Sequence, residues 1–436
     1  MSKNNVLSLE TLAVHAGEAP DPTTGASSVP IVQSSSFVFK STDQASNVFA
    51  LKESGFIYSR LTNPTVSALE EKMAALEGGK GATCTASGLA TNLLVGSTMM
   101  CAGDDFVASC KLYGGTVGQF RDSFKRAFGW QCNFVDPANP DNFKAGLTEK
   151  TKFIFIESLS NPEGFITDME PIARIAEDAG IPLVVDNTVA TPYLCRPFEH
   201  GANIVSHSTT KYLSGHGNAM GGVVIDNGSF DWMKHKDKYP ALTGDTHGYR
   251  GVIFARDFAD APFATHNHAV GLRDMGIQQQ PMNAYLTLLG AETLHLRMPQ
   301  HSRNALKVAE FLQSHDQVEW VSYAGLKDHA CYKLGQKYLR DGMCSSLFSF
   351  GVKGGFKAAT ELVNNVTIFK HLANLGDAKS LIIHPASTTH SQLTDEQKIA
   401  AGCGPETIRL SVGIENPDDL IEDLRQGLSF CQAKAA

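Results

Sequence analysis

Between residues 153 and 186 the chain reads strand, helix, strand, and this alternation limits the architecture more than any other feature. Phe153-Ile154-Phe155-Ile156 is a short unbroken apolar run, the pattern of a strand covered on both faces. Pro171 opens a helical pattern through Ile172, Ile175, Ala176 and Ala179, which Gly180 closes; Leu183-Val184-Val185 then runs into Asp186. Strands joined by a helix make a βαβ unit, so these two are predicted to be parallel neighbours in an open α/β sheet. Short strands are also predicted at Asn203–Val205 and Gly222–Ile225.

Residues 1–60 are interrupted by Pro20, Pro22, Gly25 and Pro30, which allows no long helix and predicts an arm either disordered or packed on a partner chain. From Asn63 the pattern becomes regular. Asn63 and Pro64 read as an N-cap and first helical residue, Val66, Leu69, Met73 and Leu76 recur at helical spacing, and Gly78-Gly79 stops them. A second helix is predicted over roughly 88–100, after the turn Ala86-Ser87-Gly88. Beyond about 282 helical patterns return, and the last part mixes helices with short strands such as Ser346–Phe350. The expected organisation is an arm (1–60), a large α/β domain (61–265) and a smaller α+β domain (266–436), with no internal repeat.

Composition narrows the function classes. The 436 residues carry 37 Lys+Arg against 45 Asp+Glu, a net charge of −8, which argues against a nucleic-acid or membrane-surface binder. No run approaches the ~18 apolar residues of a membrane span, and the opening stretch Met1–His15 lacks the apolar core of a signal peptide. Nine cysteines, at 84, 101, 110, 132, 195, 331, 344, 403 and 431, form no C-x-x-C pair and read as reduced thiols. A soluble, cytoplasmic protein is expected.

Open parallel sheets bind ligands beyond the carboxyl ends of their strands. Glu157 and Asn161-Pro162 follow the first predicted strand, Asp186, Asn187 and Thr188 the second, and Ser206-His207-Ser208-Thr209-Thr210-Lys211 the third. Two readings fit Asp186 and Lys211. They form a simple ion pair, or Lys211 holds an aldehyde cofactor as a Schiff base while Asp186 meets a ring nitrogen, the two needs of pyridoxal phosphate. That cofactor also needs a phosphate cup. Ser87-Gly88-Leu89 at a helix start offers backbone N–H groups and a close approach at Gly88, and Ser208 and Thr210 offer hydroxyls. Tyr113, after the strand-like Phe106-Val107-Ala108, is either a ring that stacks on the cofactor or a surface-loop tyrosine. His207 with His216, and His384 with His390, lack the i, i+4 spacing of helical zinc ligands, and no metal site is expected.

These residues sit in blocks that resemble the Cys/Met-metabolism family of pyridoxal-phosphate (PLP) enzymes over about residues 10–430. The blocks are Tyr58-Ser59-Arg60 with Asn63-Pro64-Thr65, Leu112 to Thr116, Glu157-Ser158 with Ser160-Asn161-Pro162, Asp186-Asn187-Thr188, Ser208 to Tyr212, and His384 to His390. The resemblance implies the aspartate-aminotransferase-like fold (fold type I), with a mostly parallel central sheet, an N-terminal arm and a smaller C-terminal α+β domain. It implies Lys211 as the Schiff-base lysine, Asp186 on the pyridine nitrogen, Tyr113 stacked on the ring, and Gly88, Leu89, Ser208 and Thr210 on the phosphate. Tyr58 and Arg60 would reach the phosphate from a neighbouring subunit of a homotetramer with shared sites. Arg409, with Asn161 and Ser380 nearby, would hold the substrate carboxylate, the alternative for Arg409 being a surface salt bridge. Lys211, Tyr113 and Tyr58 are the expected proton-handling groups.

Within the family, Gly376-Asp377-Ala378-Lys379-Ser380-Leu381, Phe198-Glu199-His200-Gly201 and Ala401-Gly402 resemble the sulfhydrylases that act on O-acetylhomoserine. The cystathionine enzymes resemble a glutamate where Lys379 stands, and Lys379 would repel the ammonium of an amino-acid thiol. Methionine γ-lyases resemble a cysteine where Gly115 stands. The resemblance therefore implies γ-replacement on O-acetyl-L-homoserine by sulfide or methanethiol. The alternatives are a methionine γ-lyase, a cystathionine γ-synthase or lyase, and a PLP-binding module without turnover.

Overall fold

The computed structural model describes residues 7–431 except 246, 247, 250, 390, 393 and 401. His390 and Ala401 therefore lie outside the described residues, as do the first six residues of the opening stretch.

Seven strands form the larger sheet: β1 (Gly81–Thr85), β2 (Asp105–Ser109), β3 (Gln131–Val135), β4 (Thr151–Glu157), β5 (Leu183–Asp186), β6 (Ile204–His207) and β7 (Gly222–Asp226). Their order is β1-β7-β6-β5-β4-β2-β3. The β4–β5 pair is parallel, Glu157 standing opposite Asp186, as the βαβ pattern predicts. β7 is the exception, antiparallel to both β1 and β6, so the sheet is mostly parallel. The alternation along β4 explains its unbroken apolar sequence. Phe153 and Phe155 join a cluster with Phe106, Phe120 and Trp130 on one face, while Ile154 and Ile156 join the cluster on the other. Each fully buried side chain of this size is worth about 1.5–3 kcal/mol.

The smaller sheet holds β8 (Val318–Ser322), β9 (Leu347–Val352), β10 (Lys370–His371), β11 (Leu381–Ile383) and β12 (Thr407–Ser411), in the order β10-β11-β12-β9-β8. Two helices, Pro281–Glu292 and Leu294–Gln313, run between the sheets in sequence. The expected division at 265/266 falls inside a helical stretch that continues through Pro262–His266, Asn267–Leu272 and Arg273–Met275.

Several boundaries differ from the sequence reading. The arm, expected to be irregular, carries two short helices, Leu9–His15 and Thr42–Phe49, on either side of the segment that holds Pro20, Pro22 and Pro30. The helix expected to open at Pro171 begins at Met169, since proline is tolerated anywhere in the first turn. The Pro64–Glu77 helix starts as predicted: Asn63 Oδ1 accepts from the Thr65 N–H at 3.0 Å, while its Nδ2 donates to the Val32 carbonyl at 2.9 Å and ties down the arm. Among the described residues no helix is long and apolar enough to cross a membrane.

Candidate active site

The carboxyl ends of β4, β5 and β6 open on a cleft of about 350 Å³. Its lining brings together Gly88, Leu89, Tyr113, Asn161, Asp186, Ser208, Thr210, Lys211 and Arg409, residues spread over more than 300 positions of sequence. Tyr58, Arg60 and Ser380 are not in it.

Three side chains link the strand ends. Asp186 Oδ1 accepts from the Thr188 N–H at 2.9 Å and from the Thr188 hydroxyl, whose oxygen in turn accepts from the Ser208 N–H at 2.8 Å. Glu157 holds two other site residues by their backbones. Its Oε1 accepts from the Tyr113 N–H at 2.7 Å and its Oε2 from the Asn161 N–H at 3.3 Å. Burial raises both acids above the usual carboxylate range, and for Glu157 the neighbouring Asp186 adds to the effect.

Lys211 makes no ion pair with Asp186. Its Nζ donates instead to Asn374 Oδ1 at 2.6 Å, and burial, followed by the charge of Arg409, lowers its amine to about 8. Its loop is fixed from behind by Arg297, whose guanidinium donates to the Tyr212 carbonyl at 2.8 Å. Lys211 is thus a partly neutral, nucleophilic amine with a lysine's reach. Arg409, on β12, is buried and makes no salt bridge among the described residues; it donates to Asn161 Oδ1 at 3.3 Å and to the Asn374 carbonyl at 2.8 Å. Its Nε is buried with no partner among the described residues, and the side chain lines a cleft that suits a carboxylate.

These features fit pyridoxal phosphate. The Gly88–Met99 helix starts at the cleft, and a Cβ on Gly88 would lie 2.7 Å from Ser208 Cβ, so only glycine lets the helix N–H groups and the Ser208 loop form one cup. All hydrogen bonds to Asp186 fall on Oδ1, leaving Oδ2 without a partner among the described residues. A cationic ring nitrogen would answer the cost of that buried acid. Thr210 Oγ1 exchanges hydrogen bonds with Gly221, accepting from its N–H at 3.1 Å. Tyr113 is 49% exposed at the cleft.

Two expectations change. Ser380 is fully buried away from the cleft, its hydroxyl donating to Glu415 Oε2 at 2.9 Å and accepting from the Gly413 N–H at 2.8 Å. The place expected for it is taken by Asn374, which no spacing in the sequence marks. Lys379 is 65% exposed, 3.8 Å from Asp377, and does not line the cleft, so its charge is not aimed at a substrate there. Tyr58 and Arg60 lie in a separate groove with Tyr249, His268 and Arg273, where the Arg60 guanidinium covers the Tyr58 ring at 5.2 Å. Of the histidines weighed as ligands, His207 bonds Glu77 at 2.6 Å, His216 the Ser214 carbonyl and His384 the Pro405 carbonyl.

The model of the family described as Cys/Met metabolism PLP-dependent enzymes matches residues 10–429. The chain is 45% identical over 427 residues to an O-acetyl-L-homoserine sulfhydrylase of Leptospira meyeri, covering 96% of each. It is 43% identical over 420 residues to a homocysteine synthase of Schizosaccharomyces pombe, covering 96% of this chain and 97% of the other. Among solved structures, a putative O-acetylhomoserine (thiol)-lyase from Campylobacter jejuni, carrying an N′-pyridoxyl-lysine-5′-monophosphate, superposes with a TM-score of 0.93 at 41% identity, covering 97% of this chain and all of that one.

Proposed function

The chain belongs to the Cys/Met metabolism PLP-dependent enzymes, and from that premise we propose that its cleft replaces the acyl group of a homoserine ester by sulfur. The enzyme is a PLP-dependent transferase that converts O-acetyl-L-homoserine and sulfide to L-homocysteine and acetate, a γ-replacement in homocysteine and methionine biosynthesis. Methanethiol in place of sulfide gives methionine. The observation that carries this reading is the cleft itself, which sets an amine of lowered basicity, an Asp186 oxygen without a partner among the described residues and a buried guanidinium around one space.

Pyridoxal phosphate supplies an aldehyde for the amines and a ring that takes up electron density. In our assignment Lys211 holds the aldehyde, Asp186 keeps the ring nitrogen cationic, Tyr113 covers the ring, and Gly88, Leu89, Ser208 and Thr210 bind the phosphate. Arg409 takes the substrate carboxylate, its guanidinium and the Asn161 amide beside it fixing Cα within reach of Lys211. Lys211 Nζ, released by the substrate amine, removes the Cα proton and returns one at the end, with Asn374 Oδ1 orienting it. Tyr113 and a neighbour's Tyr58 assist at Cγ. One Cβ proton passes to Lys211 as acetate departs from Cγ, a weak base that needs no acid; hydrosulfide then adds at Cγ and the proton returns to Cβ, so that acetate leaves and HS⁻ enters with no net change of protons.

The cleft also favours a small thiol. Its lining carboxylates among the described residues are Glu157, engaged by two backbone N–H groups, and Asp186. No acid is left to hold the ammonium of cysteine.

We assign Tyr58 and Arg60 to a neighbour's phosphate in a homotetramer. Both are exposed outside their own cleft, and the surrounding arm leaves Val38 99% and Phe49 57% exposed, apolar surface that a second subunit would cover. Nine cysteines with no C-x-x-C pair support a cytoplasmic location.

The test supplies O-acetyl- and O-succinyl-homoserine with sulfide, with methanethiol and with neither. Homocysteine from the acetyl ester and sulfide is expected. Release of 2-oxobutyrate and ammonia at the same rate without thiol would mean a lyase instead.

A further inference from the structure

Away from the cleft, two charged side chains close the open edge of the large sheet. β1 is an edge strand whose strand neighbour is β7, with an isolated bridge from Thr85 to Gln278 on its other side, which leaves the Ala82 carbonyl and the Cys84 N–H outside the ladder. The Cys84 N–H donates to Glu70 Oε1 at 2.7 Å, and the Ala82 carbonyl accepts from His268 Nε2 at 3.0 Å. The second ring nitrogen, Nδ1, donates to the Leu61 carbonyl, also at 3.0 Å. A carbonyl oxygen can only accept, so the two bonds together require a proton on each nitrogen, and the ring is an imidazolium. Its counter-charge is Glu70 Oε1, 3.4 Å from Nε2. Burial alone would lower the basicity of this ring, but Glu70 and the two carbonyls outweigh it and hold His268 above the ordinary histidine value. Lys52, Glu53, Arg60 and Arg273 line the adjoining groove and Glu71 neighbours Glu70; among the described residues none of them pairs with the ring.

Leu61 directly follows Arg60, in a turn closed by the Leu61 N–H on the Tyr58 carbonyl at 2.9 Å. The imidazolium therefore fastens to the sheet the turn that presents Tyr58 and Arg60 outward. We propose that His268 is a positioning residue that fixes the Tyr58–Arg60 turn for a neighbouring subunit's phosphate cup, its two N–H groups joining Leu61 to Ala82. This rests on the assignment of Tyr58 and Arg60 made above.

Both bonds are complete only while the ring is charged. A histidine whose basicity is raised on folding contributes fully below the ordinary value of 6.5 and loses its contribution as pH rises through the higher folded value. Cofactor retention should weaken over that same upper range.

The experiment measures the rate of PLP loss from the full-length holoenzyme during dialysis, at several pH values between about 6.5 and about 9, for wild type, His268→Asn, Arg60→Ala and the double variant. His268→Asn is expected to lose PLP roughly tenfold faster near neutral pH, with a flatter pH profile than wild type. In the Arg60→Ala background it should add clearly less than it does alone, the remainder acting through Tyr58. If Arg60→Ala by itself leaves retention unchanged, the assignment of the arm to the phosphate fails, and this inference with it. If Arg60→Ala speeds the loss but His268→Asn adds its full effect on top, the assignment stands and the inference is overturned. Should the Asn variant not fold, Glu70→Gln decides, because its amide oxygen still accepts from Cys84 while the counter-charge is gone. The loss of retention must then move to lower pH, and an unmoved profile refutes the role of His268.

Discussion

Lys211 Nζ lies 2.6 Å from Asn374 Oδ1, and the carbonyl of Asn374 accepts from Arg409 at 2.8 Å. One side chain and its own backbone thus set the distance between the amine assigned to the cofactor and the guanidinium assigned to the substrate. The three come from separate parts of the fold: Lys211 follows β6, Arg409 is on β12, and Asn374 stands between β10 and β11. Two cations are held near each other without touching, and that proximity lowers the basicity of Lys211.

Asn374→Ala removes the acceptor from Lys211 and leaves the backbone carbonyl to Arg409. A hydrogen bond to a charged group contributes about 1.5–3 kcal/mol, so kcat/KM should fall roughly ten- to hundredfold, mostly through kcat. Steady-state kinetics with O-acetylhomoserine and sulfide check this, and a wild-type kcat would remove Asn374 from the mechanism.

The amine of Lys211 titrates low because burial, and after it Arg409, disfavours the charged form. The neutral, nucleophilic amine is therefore present at lower pH than for an ordinary lysine. Capture of PLP by the apoenzyme should rise with pH and reach half its maximum at about 8. Arg409→Ala removes the second cause and should shift the profile to higher pH. Stopped-flow absorbance at a series of pH values gives both midpoints; coincident profiles for the two proteins contradict the electrostatic account.

A Cβ on Gly115 would stand 2.5 Å from Tyr113 Cε1 and 3.0 Å from its Cζ. Since Tyr113 is 49% exposed, the ring can swing away without disturbing the core. Gly115→Ala is therefore expected to change stability by no more than about 0.5 kcal/mol while lowering kcat roughly ten- to hundredfold through misplacement. The ratio of 2-oxobutyrate to homocysteine should rise as well. Thermal melts and product ratios test the split; a large loss of stability with unchanged kcat would contradict it.

Lys379→Glu is expected to be silent. The side chain is 65% exposed and stands 3.8 Å from Asp377, a surface pair worth about 0–1 kcal/mol. The preference for sulfide over cysteine should stay within about twofold of wild type. Competition assays with the two thiols check it, and a gain of cysteine use would put Lys379 back at the substrate.

By itself the sequence determined the elements whose signals are local. The apolar run of β4 and the capped start at Asn63 and Pro64 are written in consecutive residues, and strand ends in an open α/β sheet fall on one edge for reasons of connectivity. That is why Asp186, Lys211 and the Gly88 cup were legible as parts of one site. Which residues complete the site was decided only by tertiary structure. Nothing near Asn374 in the chain separates it from Ser380, six positions on, yet packing of the two sheets brings one to Lys211 and buries the other against Glu415. The strand directions differ for the same reason: β7 is as apolar as β6, and only its pairing partners make it antiparallel. The grip of Glu157 on Tyr113, and of His268 on Leu61, likewise joins residues 44 and 207 positions apart. Hydrogen bonds of such reach leave no periodicity in a sequence, because they are formed by the geometry of the packed chain and not by its local conformational preferences.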